Sequence, residues 1–273
     1  MRDDKRWLRP HWDGAGLCDT WMSTRQGGAS LAAGYDDGMG GGGLNLGTQS
    51  LDDPQSVTEN WRCLQAQVGR PVVSVQQIHG TDVRIVDAAI DVHAHRDALP
   101  LMLGQADALV STRSDLALVI LCADCLPVMI TDAQGGAIGI AHAGWRGLAG
   151  GVIENTVAAM RALLPSDASL LAWVGPGIGP LHFEVGDEVR QAFLARDGSA
   201  QRAFVAGRQA GKWYADLPAL ALRRLRSAGV SRVAMSGLCT FSNRERFYSH
   251  RREAPTGRMA AVISRLQASA RRP

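Results

Sequence analysis

The sequence predicts an α+β fold built as a single domain over residues 1–273. Short β-branched and apolar runs recur through the middle of the chain. Some are separated only by turns and others by stretches with helical spacing, which argues against a doubly wound order. A chain of 273 residues with 46% hydrophobic and 20% charged residues can bury one large core. No internal repeat and no linker-like stretch divides it.

Taken in order, residues 1–20 read as a flexible N-terminal segment. Met1 to Trp12 is charged and lacks the apolar run of a secretory signal. Residues 34–43 (GYDDGMGGGG) predict a mobile loop, because glycine loses too much backbone entropy in a regular element. Pro54 opens a helix to about Gln67, capped by Asp52 or Asp53. Residues 71–75 and 81–86 predict strands on either side of a tight connection, Gln77-Ile78-His79-Gly80. Residues 89–104 show no clean period and read as a loop. Four short strands follow at 106–111, 116–121, 127–131 and 137–141, the last two a hairpin across Gln134-Gly135-Gly136. Residues 147–164 carry helical spacing and stop at Pro165. Beyond them the pattern predicts a strand at 170–174, helices at 185–195 and 216–228, the second capped by Asp216, and a strand at 233–238.

Several function classes lose support on composition and motif. No window of about 18 apolar residues is present to span a membrane. The formal charge of +3 is too small and too dispersed to argue for nucleic acid. Five cysteines make a disulfide framework a poor fit and predict a reducing compartment, the cytoplasm. The chain has no G-x-S-x-G, H-E-x-x-H, Walker A or strand-linked G-x-G-x-x-G motif. Nothing in the pattern selects an oligomeric state.

Chemistry concentrates at strand ends, where a rigid sheet carries a loop. Cys122-Ala123-Asp124-Cys125 is a C-x-x-C without a helix start to stabilise a thiolate and without a second such pair for a zinc ribbon. Cys122 closes an apolar run and reads as a buried small residue, while Cys125 lies at the polar exit. His142 sits in Ala141-His142-Ala143-Gly144-Trp145-Arg146-Gly147, between a strand end and a helix start that favours an anion. Arg146 there could add a bidentate phosphate contact. His79 sits at another strand end. Two histidines and one cysteine form a three-donor set with an open fourth position, the pattern of a catalytic rather than a structural zinc site. Spacing alone leaves the choice open, because His93-Ala94-His95 also offers donors; it reads as a surface loop. Gly175-Pro176-Gly177-Ile178-Gly179-Pro180 reads as a rigid turn. Near the C-terminus, aromatics beside hydroxyls and arginines could stack on a base and bind a sugar or phosphate. These are Cys239-Thr240-Phe241-Ser242, Phe247 to Arg252, and Thr256-Gly257-Arg258.

Together these motifs resemble the laccase-domain (YfiH-like) family, regarded as purine nucleoside phosphorylases with adenosine deaminase activity. The resemblance also runs through Ser23 to Gly28, Leu44-Asn45-Leu46-Gly47 and Gln77 to Thr81, and covers nearly the whole chain in order. The Ala141–Gly147 run is its most specific part. It implies two packed mixed β-sheets flanked by helices, and metal ligands His79, Cys125 and His142 without Cys122. It further implies zinc, with copper as an alternative, and a nucleoside and phosphate as substrates. Arg146 and Arg25 are the candidate phosphate cations, Asp124 the candidate proton carrier, and Asn45, Thr240, Phe247, His250, Arg251 and Arg258 the candidate substrate contacts. Two departures stand out: residues 34–43 are longer and richer in glycine than expected, and Glu253-Ala254-Pro255 replaces the usual acidic–Gly–apolar turn.

Other readings use the same residues. A peptidoglycan-precursor editing hydrolase would act at the metal or at Cys125. A copper-dependent polyphenol oxidase would draw on His2Cys with Met129 nearby. A non-catalytic metal-binding protein would need four protein ligands. The zinc base deaminases that use H-x-E with P-C-x-x-C are disfavoured, since no glutamate follows His79 or His142 two residues on.

Overall fold

Apolar runs in the middle of the chain form strands close to where their pattern places them. The computed structural model describes residues 4–93 and 99–266. Its strands are β1 (Trp7–Leu8), β2 (Cys18–Ser23), β3 (Gln26–Ser30), β4 (Val72–Gln76), β5 (Val83–Ile85), β6 (Leu101–Gln105), β7 (Ala108–Ser111) and β8 (Ala117–Cys122). They continue with β9 (Leu126–Asp132), β10 (Ile138–Ala143), β11 (Leu170–Val174), β12 (Glu184–Gly186), β13 (Phe204–Ala206), β14 (Lys212–Ala215), β15 (Arg232–Met235) and β16 (Met259–Arg265). The helices are α1 (Pro54–Val68), α2 (Trp145–Gly150), α3 (Val152–Ala162), α4 (Asp187–Leu194), α5 (Leu217–Ser227) and α6 (His250–Glu253).

Two six-stranded mixed sheets carry the fold, ordered β1-β2-β16-β8-β4-β6 and β15-β11-β9-β10-β7-β5, with β12-β14-β13 as a small third sheet. Side chains alternate between the two faces of a strand, and that alternation sorts the core into layers. On β8, Leu118, Ile120 and Cys122 join Met129, Ile138, Ile140, Ala261 and Ile263 in one cluster between the two sheets. The opposite face of the first sheet, Ala117, Val119, Ala260 and Val262, packs on Trp61 and Leu64 of α1. The outer face of the second sheet, Val128, Ile130 and Ala141, packs on Val157 and Met160 of α3 and Leu220 and Leu225 of α5. The order of layers is helix, sheet, sheet, helices, in one domain. Each fully buried Leu or Ile in these layers contributes about 1.5–3 kcal/mol relative to an exposed one. Among the described residues no helix is long and apolar enough to cross a membrane.

The α1 boundaries follow their capping chemistry. Asp53 accepts from the Gln55 and Ser56 amides, and Gly69 ends the helix in the left-handed region at φ 67°. Asp216 likewise caps α5 by accepting from the Ala219 amide. The β9–β10 hairpin forms as expected.

Four expectations need correction, and a fifth, the two strands around Gln77–Gly80, holds with one addition. Residues 4–20 are part of the fold: β1 pairs with β2, and Trp12 is buried with its Nε1 donating to Thr20. The strands around Gln77–Gly80 lie in different sheets, so the tight connection is a crossing from one sheet to the other. The end of the 89–104 segment forms β6, an edge strand paired, among the described residues, only with β4; with one neighbour it is half exposed and shows no apolar alternation. The 147–164 helix breaks at Gly151, φ 110°, where the Arg196 guanidinium takes the Ala149 and Gly150 carbonyls that end α2. The glycine-rich 34–43 loop is packed rather than mobile. A Cβ on Gly43 would overlap the Tyr35 carbonyl and the Tyr248 hydroxyl, and Gly257 N–H donates to the Gly34 carbonyl at 3.1 Å. Of the H-x-H pair, His93 is an exposed residue against Asp115 at 2.9 Å, and His95 lies outside the described residues.

Candidate metal centre

Strand register delivers the three donors to one point. On β10, His142 stands opposite Pro127 of β9, and Cys125 immediately precedes β9 on the same side of the hairpin. His79 arrives from the crossing between β4 and β5. One ligand atom from each of the three lies within 4.8 Å of the others, and no other set of three donors clusters this way among the described residues. Cys125 Sγ stands 3.8 Å from His79 Nε2, and the two imidazole rings meet edge to face at 4.9 Å. Tetrahedral zinc with its usual bond lengths would separate a sulfur and a nitrogen donor by about 3.6 Å. The Cys125–His79 pair therefore has about the spacing of two ligands on one ion, and the three donors together could hold a metal. Burial grades from His142, which is buried, to His79, which is exposed, so the remaining side faces solvent.

Charge in the cluster follows from this crowding. Burial opposes the Cys125 thiolate, but the neighbouring His142 and His79 outweigh it and bring its pKa down to about 6. Burial also opposes an imidazolium at His142, yet Cys125 and Asp107 raise that ring to about 9. Without metal the pair is a thiolate facing an imidazolium near neutral pH. Buried Cys122 is pushed the other way, well above the usual thiol range, and packs in the core between the sheets.

Asp107, which no motif marks, is the carboxylate bonded to a candidate ligand: its Oδ1 lies 2.8 Å from His142 Nδ1. Burial opposes its charge, but the bonds from His142, Gly80 and Ile78 hold it below the usual carboxylate range. Two residues of the site occupy the left-handed region, His79 at φ 60° and Asp124 at φ 85°. Such conformations cost about 1–3 kcal/mol each and persist where surrounding bonds impose them. At Asp124 those bonds are Oδ1 accepting from Thr240 Oγ1 (2.6 Å) and Oδ2 accepting from the Arg251 amide (2.7 Å). Its carbonyl also accepts from Ile178 N–H, which fastens the Gly175–Pro180 turn to the ligand loop. Gly144 leaves room for the donors, since a Cβ there would stand 2.8 Å from His79 Cδ2 and 2.9 Å from Cys125 Sγ.

The remaining candidates divide by where they sit. Arg146 is exposed, lies 4.5 Å over its own Trp145 ring, and has no carboxylate partner among the described residues. Its helix α2 starts two residues earlier than expected and is only 6 residues long. Thr240 and Arg251 adjoin the centre through Asp124, and His250 is exposed at the start of α6. The Arg251 guanidinium donates to the Glu184 carbonyl and lies 5.4 Å over Phe183. Four others serve the fold. Arg25 is 1% exposed, its guanidinium taken by Glu253, by Asp36 and by the Arg244 carbonyl, so it is not a free phosphate cation. Phe247 is fully buried in the core between the sheets and offers no face to a base. Asn45 is buried, bonded to Ser50, Asp52 and the amides of Gly47 and Arg258. The partly buried Arg258 side chain donates to the Thr256 and Gly257 carbonyls. Asp124, read as proton carrier, has each carboxylate oxygen bonded and ties two segments together.

A family model described as multi-copper polyphenol oxidoreductase laccase matches residues 19–266. The chain belongs to that family. It is 41% identical over 257 residues to a purine nucleoside phosphorylase of Pseudomonas aeruginosa, covering 94% of this chain and 97% of that relative. The purine nucleoside phosphorylase YfiH of Escherichia coli is 38% identical over 260 residues, covering 94% and 96%. Among solved structures, a Neisseria meningitidis protein of the DUF152 family model superposes with a TM-score of 0.83 at 39% identity, over 96% of this chain and 100% of that one. The YfiH protein of Bacillus licheniformis gives 0.86 at 26% identity, over 97% and 98%. The architecture of this laccase-family chain, two mixed sheets flanked by helices, is that of these structures.

Proposed function

We propose that this chain is a zinc-dependent purine nucleoside phosphorylase acting at the His79–Cys125–His142 centre. The observation that carries the reading is the convergence of three donors from separate elements on one solvent-facing point, in a chain 41% identical to a protein named purine nucleoside phosphorylase. A zinc ion held by the three would supply Lewis-acid stabilisation of developing negative charge.

The chain's own residues serve the rest of the reaction. Phosphorolysis moves a ribosyl group from the purine nitrogen to phosphate, with positive charge building on the sugar and negative charge on the base. Phosphate must be held against the sugar face, and Arg146 is the exposed cation beside the ligand loop with its guanidinium free for a bidentate contact. Asp124 holds Thr240 and the Arg251 main chain beside Cys125, which makes the 239–251 segment one wall of the substrate site. Exposed Arg251 and His250 on that wall are the substrate contacts we retain. We propose deamination of adenosine as a side activity of the same centre.

A copper oxidase is the weaker reading. Met129 packs in the core between the sheets, paired in register with Ile140, and multicopper chemistry needs further clusters of donors. The test combines metal analysis with product identification. Inosine should yield hypoxanthine and ribose 1-phosphate only when phosphate is present, adenosine should yield inosine or adenine products, and His142→Ala should lose all of these with its metal. Release of hypoxanthine by a metal-free His142→Ala protein would overturn the reading.

A further inference from the structure

Asp107 lies just before β7, fully buried, and accepts four hydrogen bonds on two carboxylate oxygens. Oδ1 takes the His79 amide at 2.9 Å and faces His142 Nδ1 at 2.8 Å. Oδ2 takes the Ile78 amide at 3.2 Å and the Gly80 amide at 2.6 Å. Its main-chain carbonyl also accepts from the His142 amide at 2.8 Å. We propose that Asp107 is the positioning residue of the centre, setting both His79 and His142 for the metal. The inference rests on the metal reading of the cluster.

The two histidines are set in different ways. An ionised carboxylate can only accept, so His142 must donate from Nδ1, which leaves the Nε2 lone pair as the ligand atom facing Cys125 and His79. His79 carries a left-handed backbone that a non-glycine residue adopts at a cost. Three successive amides, 78 to 80, converge on Asp107 and hold the chain in that conformation. One side chain therefore fixes the tautomer of one ligand and the main-chain conformation of another.

Asparagine has nearly the same shape and cannot do both. It has one acceptor oxygen, and turned either way its NH2 faces two donors. Either the His79 amide and His142 Nδ1 lose their acceptor, or the Ile78 and Gly80 amides do.

The test uses the full chain and zinc ion in competition with a chromogenic chelator. Wild type should bind zinc, and Asp107→Asn and Asp107→Ala should bind it about 10–100-fold more weakly. Cobalt-loaded Asp107→Asn should show a shifted visible spectrum, which loss of global stability alone would not produce. A folded Asp107→Asn with wild-type zinc affinity and cobalt spectrum overturns the inference. Should the variants fail to fold, the zinc-loaded wild type still decides by ring NMR: His142 must keep a slowly exchanging Nδ1–H, and ligation through Nδ1 with the proton on Nε2 overturns it. Absence of zinc binding by wild type overturns the metal reading itself, a separate outcome from a failure confined to the variants.

Discussion

Gly144→Ala tests how closely the site is packed. Gly144 has φ −67°, open to alanine, so the substitution adds a methyl group without straining the backbone. That methyl would stand 2.8 Å from His79 Cδ2 and 2.9 Å from Cys125 Sγ. Non-bonded heavy atoms settle at about 3.5–4.0 Å, so two ligand side chains must retreat by about 0.6–1.2 Å. Metal–ligand distances tolerate about 0.2 Å. Overpacking of this kind costs about 1–3 kcal/mol, which expressed as metal affinity is a loss of about 5- to 150-fold. The assay is zinc competition against a chelator, with thermal unfolding of the metal-free protein measured in parallel to show that the fold persists. Unchanged zinc affinity in a folded alanine variant would refute the reasoning, because the donors would then not need the space that Gly144 leaves.

Two further outcomes follow from charge. In the metal-free protein, the lowered pKa of Cys125 keeps its thiolate present at neutral pH and loses it only as pH falls through about 6. Iodoacetamide near pH 7 should therefore label Cys125, read by peptide mass spectrometry, while Cys18, pushed up by burial to about 12, and Cys122 stay unlabelled; zinc should protect Cys125. Labelling of Cys125 that begins only above pH 8 would contradict the imidazolium–thiolate pair. Arg25→Met removes a buried guanidinium from Glu253 and Asp36, although Glu253 keeps Arg252 at 2.6 Å. The expected loss is about 3 kcal/mol, at the low end for a broken buried pair, or about 6–12 °C in melting temperature for a domain of this size. A wild-type melting curve with a raised KM for phosphate would instead make Arg25 a substrate ligand.

Much of the fold was legible because its signals are local. The Asp53-Pro54 helix start, the Gly135-Gly136 hairpin and the apolar runs of β7 to β11 depend on caps, turns and side-chain alternation that neighbouring residues express. β16 was not legible. Its apolar run Met259–Arg265 becomes a central strand only because β2 and β8 bind its two edges from more than a hundred residues away. The clamped glycine-rich loop departs from its local pattern for a related reason. Glycine marks freedom in a sequence, whereas at Gly43 it marks a place where other main chain leaves no room for a Cβ.

The same division runs through the site. Residue type and position at strand ends marked His79, Cys125 and His142 as metal donors, and the family motifs separated them from Cys122 and His93. The structure then brought the three together. Asp107, by contrast, is an ordinary acidic residue in Gly104-Gln105-Ala106-Asp107, and nothing near it in sequence binds it. Its four donors come from residues 78–80 and 142, and they meet because β7 lies between β5 and β10 in one sheet. Arg25 and Phe247 carried the right chemistry for substrate and were buried by packing instead. The sequence by itself determined the donor types and the strands that end beside them. Only the tertiary structure decided which charges are spent inside the fold and which carboxylate holds the histidines, because burial and long-range hydrogen bonds depend on distances between segments that no local pattern encodes.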